Sequence, residues 1–241
     1  KAAVPQPELE RLAAARRDPP RGFAAALDAP GARVVAEIKR ASRSLGDIRP
    51  GLDPAATARA YAAGGAAALS VLTEPAFFKG SAADLRRARD AVAIPVLRKD
   101  FIVDPYQVYE TAAMGADAML LIVRILDDEA LHALHALALA LGLDVLTEVF
   151  DGRDADRAAA LGAALVGINS RDLSSFATDL SRTASLAARL APAAAMQSGA
   201  RAPSPAIVAL SGIRSASDIR ALLSRGIRRF LIGETLVRQP D

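Results

Sequence analysis

Short apolar runs alternate with Ala-, Leu- and Arg-rich stretches along most of the chain, and this repeat restricts the possible folds more than any other feature. We predict that eight of the runs are β-strands: Val34–Ile38, Leu69–Thr73, Pro95–Arg98, Ala118–Ile122, Asp144–Val149, Leu165–Ile168, Ile207–Leu210 and Arg229–Ile232. Glycines typical of helix ends precede four of them: Gly65, Gly115, Gly162 and Gly226. Strands that alternate with helices pair in parallel. Since a doubly wound sheet usually has about five to seven strands, eight units predict an α/β fold, the (β/α)8 TIM barrel, as a single domain over residues 1–241.

Two regions lie outside the repeat. Residues 1–32 contain a predicted helix, Glu8–Arg17, then Pro19–Pro20 and a second helical segment, Gly22–Leu27. We predict that they form an N-terminal helical extension that lies across the barrel. Residues Ala191–Pro205 contain one glycine and three prolines, so we predict an inserted loop before the seventh strand.

Composition excludes several classes of function. Of the 241 residues, 52% are hydrophobic, which suffices for a large core, and the absence of cysteine excludes a disulfide framework, thiol catalysis and thiolate metal sites. Aromatic residues make up only 4% and are not interleaved with a basic stripe, so we expect no nucleic-acid partner. No apolar stretch reaches the ~20 residues of a membrane span, and no signal peptide opens the chain. We therefore expect a cytoplasmic protein without a membrane partner, acting as a monomer.

His132 and His135 lie three residues apart on a predicted helix, Asp128–Leu141. An HxxH pair can bind a metal ion, but the pattern offers no third ligand nearby. We predict that both histidines are surface residues of the helix, and we expect no metal site.

Polar residues follow the predicted strands at the end where (β/α)8 barrels carry their active sites. They are Glu37, Lys39 and Ser42 at the first strand, Lys99 at the third, Glu148 at the fifth, Asn169 and Arg171 at the sixth, Ser211 and Gly212 at the seventh, and Gly233 and Glu234 at the eighth. The chain has only four lysines against 26 arginines, and lysine can shift its pKa and exchange a proton whereas arginine stays charged. Two lysines and two carboxylates at one face therefore predict an acid–base site.

The charged residues and the glycines each have a structural alternative. Alternation places Glu37 and Lys39 on the same side of the first strand, where they could form only an ion pair at the rim. Glu148 could cap a loop or pair with an arginine, and Asn169-Ser170-Arg171-Asp172 could be only a polar turn. Gly212 and Gly233 could simply turn the chain, instead of bringing backbone N–H groups to a phosphate at the site that recurs in such barrels.

Aromatic residues follow the second and third predicted strands. Phe77 and Phe78 lie in one loop, and Phe101 lies in the next. They could enclose an aromatic substrate ring, or they could pack in the core.

Taken together, six segments resemble the indole-3-glycerol phosphate synthase family, in order and at family spacing over nearly the whole chain. The segments are Ala36–Ser42, Leu69–Glu74, Leu97–Ile102, Leu120–Val123, Gly167–Leu173 and Leu231–Glu234. The resemblance implies ring closure of 1-(2-carboxyphenylamino)-1-deoxyribulose 5-phosphate, a small phosphorylated substrate, with loss of carbon dioxide and water. It implies no cofactor.

The resemblance also implies roles for five catalytic residues. Lys99 matches the general acid that protonates the ketone, and Lys39 matches a second lysine that assists proton transfer and contacts the substrate carboxylate. Glu148 matches the carboxylate that assists removal of the ring-amine proton, while Glu37 and Asn169 match residues that orient these groups. We expect the neighbouring carboxylates to bring the pKa of the lysines towards neutrality.

Two further groups of residues match binding positions of the family. The ring and carboxylate pocket is matched by Ser42, Phe78, Phe101, Leu120 and Arg171. The phosphate site is matched by Ser211, Gly212, Gly233 and Glu234.

The chain departs from the family pattern in three places. Leu210 stands where the family has glutamate, Arg43 replaces a proline, and the loop before the seventh strand is longer. An alternative register would place Gln197-Ser198-Gly199 at the glutamate motif, but the spacing from Ser211 to Gly233 fits the family and argues against it. The departures leave two alternatives open: a catalytically weakened paralogue that binds sugar phosphates, or another phosphate-sugar barrel enzyme such as phosphoribosylanthranilate isomerase.

Overall fold

The computed structural model describes residues 4–16, 18–43, 45–171, 179–196 and 204–238. Eight parallel strands close into a barrel: Arg33–Ile38, Ala68–Leu72, Val96–Lys99, Ala118–Ile122, Asp144–Val149, Leu165–Asn169, Ala206–Leu210 and Arg229–Ile232. They are called the first to eighth strands below. The first strand pairs with both the second and the eighth, which closes the barrel. The predicted (β/α)8 TIM barrel is confirmed, and each predicted strand boundary lies within one residue of the observed one.

Helices connect the strands and cover the outside of the barrel. The helices are Gln6–Ala14, Phe23–Asp28, Pro54–Ala63, Ala82–Asp90, Pro105–Ala113, Asp128–Ala140, Gly152–Leu161, Leu180–Met196, Ala216–Leu223 and Glu234–Arg238. Six of them begin with an Asp or Ser whose side chain accepts a hydrogen bond from a free backbone N–H of the first turn. The four glycines predicted to end helices all have positive φ, between 72° and 88°. No helix in the described part of the chain is both long and apolar enough to cross a membrane.

The loop predicted for Ala191–Pro205 is wrong over its first six residues. There the helix Leu180–Met196 continues, because Leu186 and Leu190 bury one face of it against the barrel, and this packing outweighs the local proline signal. Residues 197–203, which include the alternative register, lie outside the described residues. The seventh strand, Ala206–Leu210, pairs with the sixth, with Leu210 opposite Asn169.

The N-terminal extension closes the bottom of the barrel, the end opposite the carboxyl ends of the strands. Phe23 and Leu27 are fully buried and belong to the apolar cluster that fills the barrel interior. The preceding helix, Gln6–Ala14, packs along Pro105–Ala113 on the outside, where Tyr106 Oη donates to the carbonyl of Val4 at 2.8 Å. The predicted helical extension is therefore confirmed, and its second helix seals one end of the barrel.

Candidate active site

Glu37 and two lysines form a charged cluster at the carboxyl ends of the first and third strands. Lys39 Nζ donates to Glu37 Oε1 at 2.6 Å, and Lys99 Nζ lies 3.7 Å from Glu37 Oε2. The Glu37 side chain is almost wholly buried, whereas those of Lys39 and Lys99 retain 13% and 20% exposure. One carboxylate therefore holds two ammonium groups at the open end of the barrel, as alternation along the first strand predicts.

The cluster fixes the charge of its members. Burial alone would raise the pKa of Glu37, but the ammonium groups of Lys39 and Lys99 hold that pKa below its ordinary value. Burial would lower the pKa of Lys99, but Glu37 and Glu148 outweigh burial and raise it, while Arg171 opposes them. The expectation that neighbouring carboxylates bring the pKa of Lys99 towards neutrality is therefore wrong, because an adjacent negative charge stabilises the protonated amine.

Glu148 and Asn169 form the opposite side of the site, on the fifth and sixth strands. Asn169 Nδ2 donates to Glu148 Oε1 at 2.8 Å, and Asn169 Oδ1 accepts from the backbone N–H of Arg171 at 3.0 Å. Glu148 Oε2 is buried and accepts no hydrogen bond from the described residues. A buried carboxylate oxygen without a donor is costly, so this atom is available to a ligand group that carries a proton.

Arg98 anchors the chain next to Lys99, and our sequence reasoning missed it. Its buried guanidinium donates to Thr73 Oγ1 at 3.1 Å, to Asp100 Oδ2 at 3.0 Å and to Glu110 Oε2 at 2.6 Å. Thr73 also donates its backbone N–H to the carbonyl of Lys99. These contacts tie the loops after the second and third strands together around Lys99.

The aromatic residues lie at the rim of the same opening. The rings of Phe78 and Phe101 are 6.4 Å apart, inclined at 43°, and both remain partly exposed. Phe77 is 48% exposed and stacks under the guanidinium of Arg43, 4.7 Å from its ring centroid. Arg43, which replaces the family proline, thus joins the loops after the first and second strands. Ser42 lies beside it in a short hairpin, Ala41–Ser42 with Gly46–Asp47.

The wall between the charged groups is apolar. Leu120 is buried in the interior cluster together with Phe150, which the sequence analysis did not single out. Phe150 follows Glu148 by two residues, so alternation along the fifth strand was the available signal. Arg124 covers its ring at 4.1 Å, and Asp154 accepts from its backbone N–H at 3.0 Å.

The predicted phosphate site lies between the ends of the seventh and eighth strands. Ser211 and Gly212 have left-handed backbones, with φ of 66° and 78°. The helix after them begins at Ala216, so three residues separate it from Gly212. Glu234 begins the short helix after the eighth strand, and its carboxylate lies 3.7 Å from Arg171 Nη2 and 3.5 Å from Arg238 Nε. An anion would therefore meet backbone N–H groups here, whereas the Glu234 side chain would repel it.

Leu210 ends the seventh strand, at the position where the resemblance leads us to expect glutamate. Its side chain is 2% exposed and belongs to the interior apolar cluster. It leans over Gly167 so closely that a Cβ on Gly167 would lie 2.7 Å from Leu210 Cδ1. The floor beside Asn169 is therefore apolar.

The two histidines lie far from these groups in sequence and fold, on the helix Asp128–Ala140. Both are partly exposed, in agreement with the predicted surface position of the pair, and burial lowers the pKa of His135. In the described part of the chain, no three His, Cys, Asp or Glu side chains are grouped as metal ligands.

The fold and the site define a class of protein: a (β/α)8-barrel enzyme that carries a cluster of lysines and carboxylates at the carboxyl ends of its strands. The family model described as indole-3-glycerol phosphate synthase matches residues 1–241. The chain belongs to the indole-3-glycerol phosphate synthase family.

Curated relatives agree with this assignment, and solved structures agree with the fold. An indole-3-glycerol phosphate synthase of Desulfosudis oleivorans is 49% identical over 99% of this chain and 88% of its own length. One of Bordetella pertussis is 48% identical over 97% and 86%. Among solved structures, the N-acetylmannosamine-6-phosphate 2-epimerase of Clostridium perfringens matches with a TM-score of 0.65 at 12% identity, covering 89% of this chain and 91% of its own. A mandelate oxidase matches with a TM-score of 0.60 at 18% identity, covering 86% and 65%. These two likenesses concern the fold alone.

Proposed function

We propose that this chain closes the indole ring of indole-3-glycerol phosphate from 1-(2-carboxyphenylamino)-1-deoxyribulose 5-phosphate. The observation that carries the proposal is the arrangement of Lys39 and Lys99 around Glu37, with Glu148 near enough to raise the pKa of Lys99. This arrangement supplies protonated donors on one side and a carboxylate on the other. The family membership of the chain supports the same reaction.

Ring closure and decarboxylation need a proton donor at the ketone. The ring carbon that carries the carboxylate bonds to the ketone carbon, and Lys99 gives the ketone oxygen a proton as negative charge develops there. The bond to the carboxylate then breaks, its electron pair restores the aromatic ring, and carbon dioxide leaves. Lys39 assists proton transfer and contacts the carboxylate. Glu37 keeps Lys99 protonated, because the neighbouring negative charge raises the pKa of its amine.

Dehydration needs the opposite side of the site. The new hydroxyl takes up a proton and leaves as water, while the ring amine loses a proton to Glu148. A proton then leaves the neighbouring CH2 carbon and the nitrogen regains one, which forms the carbon–carbon double bond of indole. Asn169 orients Glu148 through the 2.8 Å hydrogen bond, and the buried Oε2 offers the acceptor. Because no electrons are gained or lost overall, the reaction requires no redox cofactor.

Two groups of residues are proposed to bind the two ends of the substrate. The ring and its carboxylate are proposed to contact Ser42, Phe78, Phe101, Leu120 and Arg171. The phosphate is proposed to bind at Ser211, Gly212 and the backbone N–H groups of Gly233 and Glu234. Arg171 links the two parts, since it lies between Asn169 and Glu234.

A single-turnover experiment tests the proposal. Excess protein is mixed with the substrate, and indole fluorescence is followed together with carbon dioxide release. We expect both products, with indole formed no faster than carbon dioxide is released. Binding of the substrate without either product would instead support a weakened paralogue, for which the apolar Leu210 is the supporting observation.

We further propose that the enzyme works as a cytoplasmic monomer without nucleic acid. The proposed catalytic groups all come from one chain, and 30 basic residues are nearly balanced by 27 acidic ones. Light scattering after size exclusion should give the mass of one chain at micromolar concentration, and a stable dimer would contradict the proposal. Duplex DNA should not change the elution.

A further inference from the structure

Gly233 lies directly against the Glu37 side chain. A Cβ added to Gly233 would overlap Glu37 Oε1 and would lie 3.0 Å from both Cβ and Cδ of Glu37. Non-bonded carbon atoms rest about 3.5–4.0 Å apart, so no side chain fits at position 233 while Glu37 keeps its position. The backbone of Gly233 is not left-handed, since its φ is not among the positive ones. Space, rather than conformation, therefore requires glycine here.

Closure of the barrel brings the two residues together. The first strand pairs with the eighth, with Ala36 opposite Ile232. Glu37 and Gly233 are the next residues in this register. The Glu37 side chain passes across position 233 on its way to the lysines.

The atom that would be displaced is the one in the shortest ion pair of the cluster. Glu37 Oε1 accepts the 2.6 Å hydrogen bond from Lys39, and Oε2 lies 3.7 Å from Lys99. The carboxyl group is the free end of a flexible side chain, so it can rotate away from an added methyl group. It cannot do so and keep both lysines.

We propose that Gly233 is a positioning residue for the acid–base site: the absence of a side chain there leaves the space in which Glu37 reaches Lys39 and Lys99. The inference rests on the proposed function of these three residues. It gives Gly233 a role additional to the approach of its backbone N–H to a phosphate.

The Gly233→Ala variant tests the inference through the split between kcat and KM. A misplaced carboxylate should lower kcat roughly 10- to 100-fold. The N–H of residue 233 remains, so KM and the Kd of inorganic phosphate should change little. Gly51→Ala is the matched control, because position 51 has open space and no positive φ, and it should leave kcat and KM unchanged. A rise in KM or in the phosphate Kd with unchanged kcat would assign Gly233 to phosphate binding alone and overturn the inference.

A double-mutant cycle with Glu37→Asp isolates the contact. The shorter side chain withdraws the carboxyl group from position 233, so adding Gly233→Ala to Glu37→Asp should cost much less than adding it to the parent. Equal costs in the two backgrounds would show that the methyl group acts on something other than Glu37.

A readout independent of turnover comes from the scarcity of lysine. With only four lysines in the chain, NMR of lysines labelled at Cε can follow each titration. The groups facing Lys99 are Glu37, Glu148 and Arg171, and Lys39 shares Glu37 with it. Gly233→Ala should lower the titration midpoint of Lys99, because Glu37 moves away. An inactive parent would refute the proposed function, whereas an unmoved Lys99 midpoint would refute the inference.

Discussion

Each end of the barrel contains a buried carboxylate with positively charged neighbours. The two ends differ in how many of their polar groups lack a hydrogen-bond partner within the protein. At the bottom, Asp117 is fully buried and accepts from Arg16, Arg89, the backbone N–H of Arg21 and that of Val96. At the open end, two partly exposed lysines, Lys39 and Lys99, both pair with Glu37. The cations at the bottom are arginines, which stay charged, whereas those at the open end can give up a proton.

The difference separates stability from chemistry within one chain. Asp117 joins the N-terminal extension to the third and fourth strands with every contact made inside the protein, so nothing there can respond to a ligand. The open end leaves Lys39 and Lys99 partly exposed and Glu148 Oε2 without a hydrogen bond from the described residues. Polar groups without a hydrogen-bond partner lower the stability of the fold. A bound substrate can supply the missing hydrogen bonds.

The largest effect that would test this comparison is expected at Lys99. Lys99→Met keeps much of the side-chain volume and removes the proton donor, so kcat should fall by about 10²–10⁴-fold. The Kd of inorganic phosphate should stay close to that of the parent. Stopped-flow indole fluorescence measures the first quantity and calorimetry the second. Near-parental turnover would exclude Lys99 as the general acid.

The reverse pattern is expected at Asp117. Asp117→Ala leaves buried arginines without their carboxylate and should lower the free energy of unfolding by about 3–5 kcal/mol. Below the unfolding temperature, kcat should remain that of the parent. Denaturant titration with activity measured in parallel tests this. Asp28→Ala, which removes an exposed partner of Arg229, is the control and should cost less than about 1 kcal/mol.

A smaller effect is expected in the pH dependence of stability at the open end. The pKa of Glu37 is held below 4.5, so its stabilisation is complete above that pH and is lost as the pH falls through the folded value. The pKa of Lys99 is raised above 10.5, so its contribution is complete below that pH and is lost as the pH rises through the folded value. The contribution of Glu37 and Lys99 to the melting temperature should therefore be constant between these two pH limits.

The variant Glu37→Gln isolates that contribution. It should lower the melting temperature on the level part of the profile and make the fall at acid pH shallower. Glu8→Gln removes a carboxylate paired with Arg11 in solvent and should leave the profile nearly unchanged. Identical acid limbs in the parent and in Glu37→Gln would contradict the assignment.

The smallest effect is expected at Leu210. Leu210→Glu returns an acceptor beside Asn169 and should raise turnover severalfold if the leucine limits this enzyme. Glutamine has the shape of glutamate without its charge. Comparing Leu210→Gln with Leu210→Glu therefore separates the effect of the negative charge on turnover from the effect of a polar side chain. Turnover equal to that of the parent in a folded Leu210→Glu variant would show that another feature, such as Arg43 against Phe77, limits the rate.

Local pattern sufficed for the strands and for the strand-end residues of the site. The pairing of Glu37 with Lys39 could be predicted from alternation alone, because residues two apart on a strand lie on the same face. The helix through Ala191 was missed since tertiary packing of Leu190 overrides a nearby proline. The contact of Gly233 with Glu37 could not be found from spacing, because it depends on the register between the two ends of the barrel.

The pairing of the first and eighth strands also determines when the site can exist during synthesis. Arg33 lies opposite Arg229, and Arg229 also donates to the carbonyl of Leu27 and to Asp28. At roughly 5–20 residues per second, the ribosome needs about 10–40 s to make the chain between these partners. During that interval the first strand carries Glu37 with one edge unpaired, which is a surface for aggregation. The charged cluster around Glu37 therefore lies in a closed barrel only after the eighth strand, Arg229–Ile232, has been made.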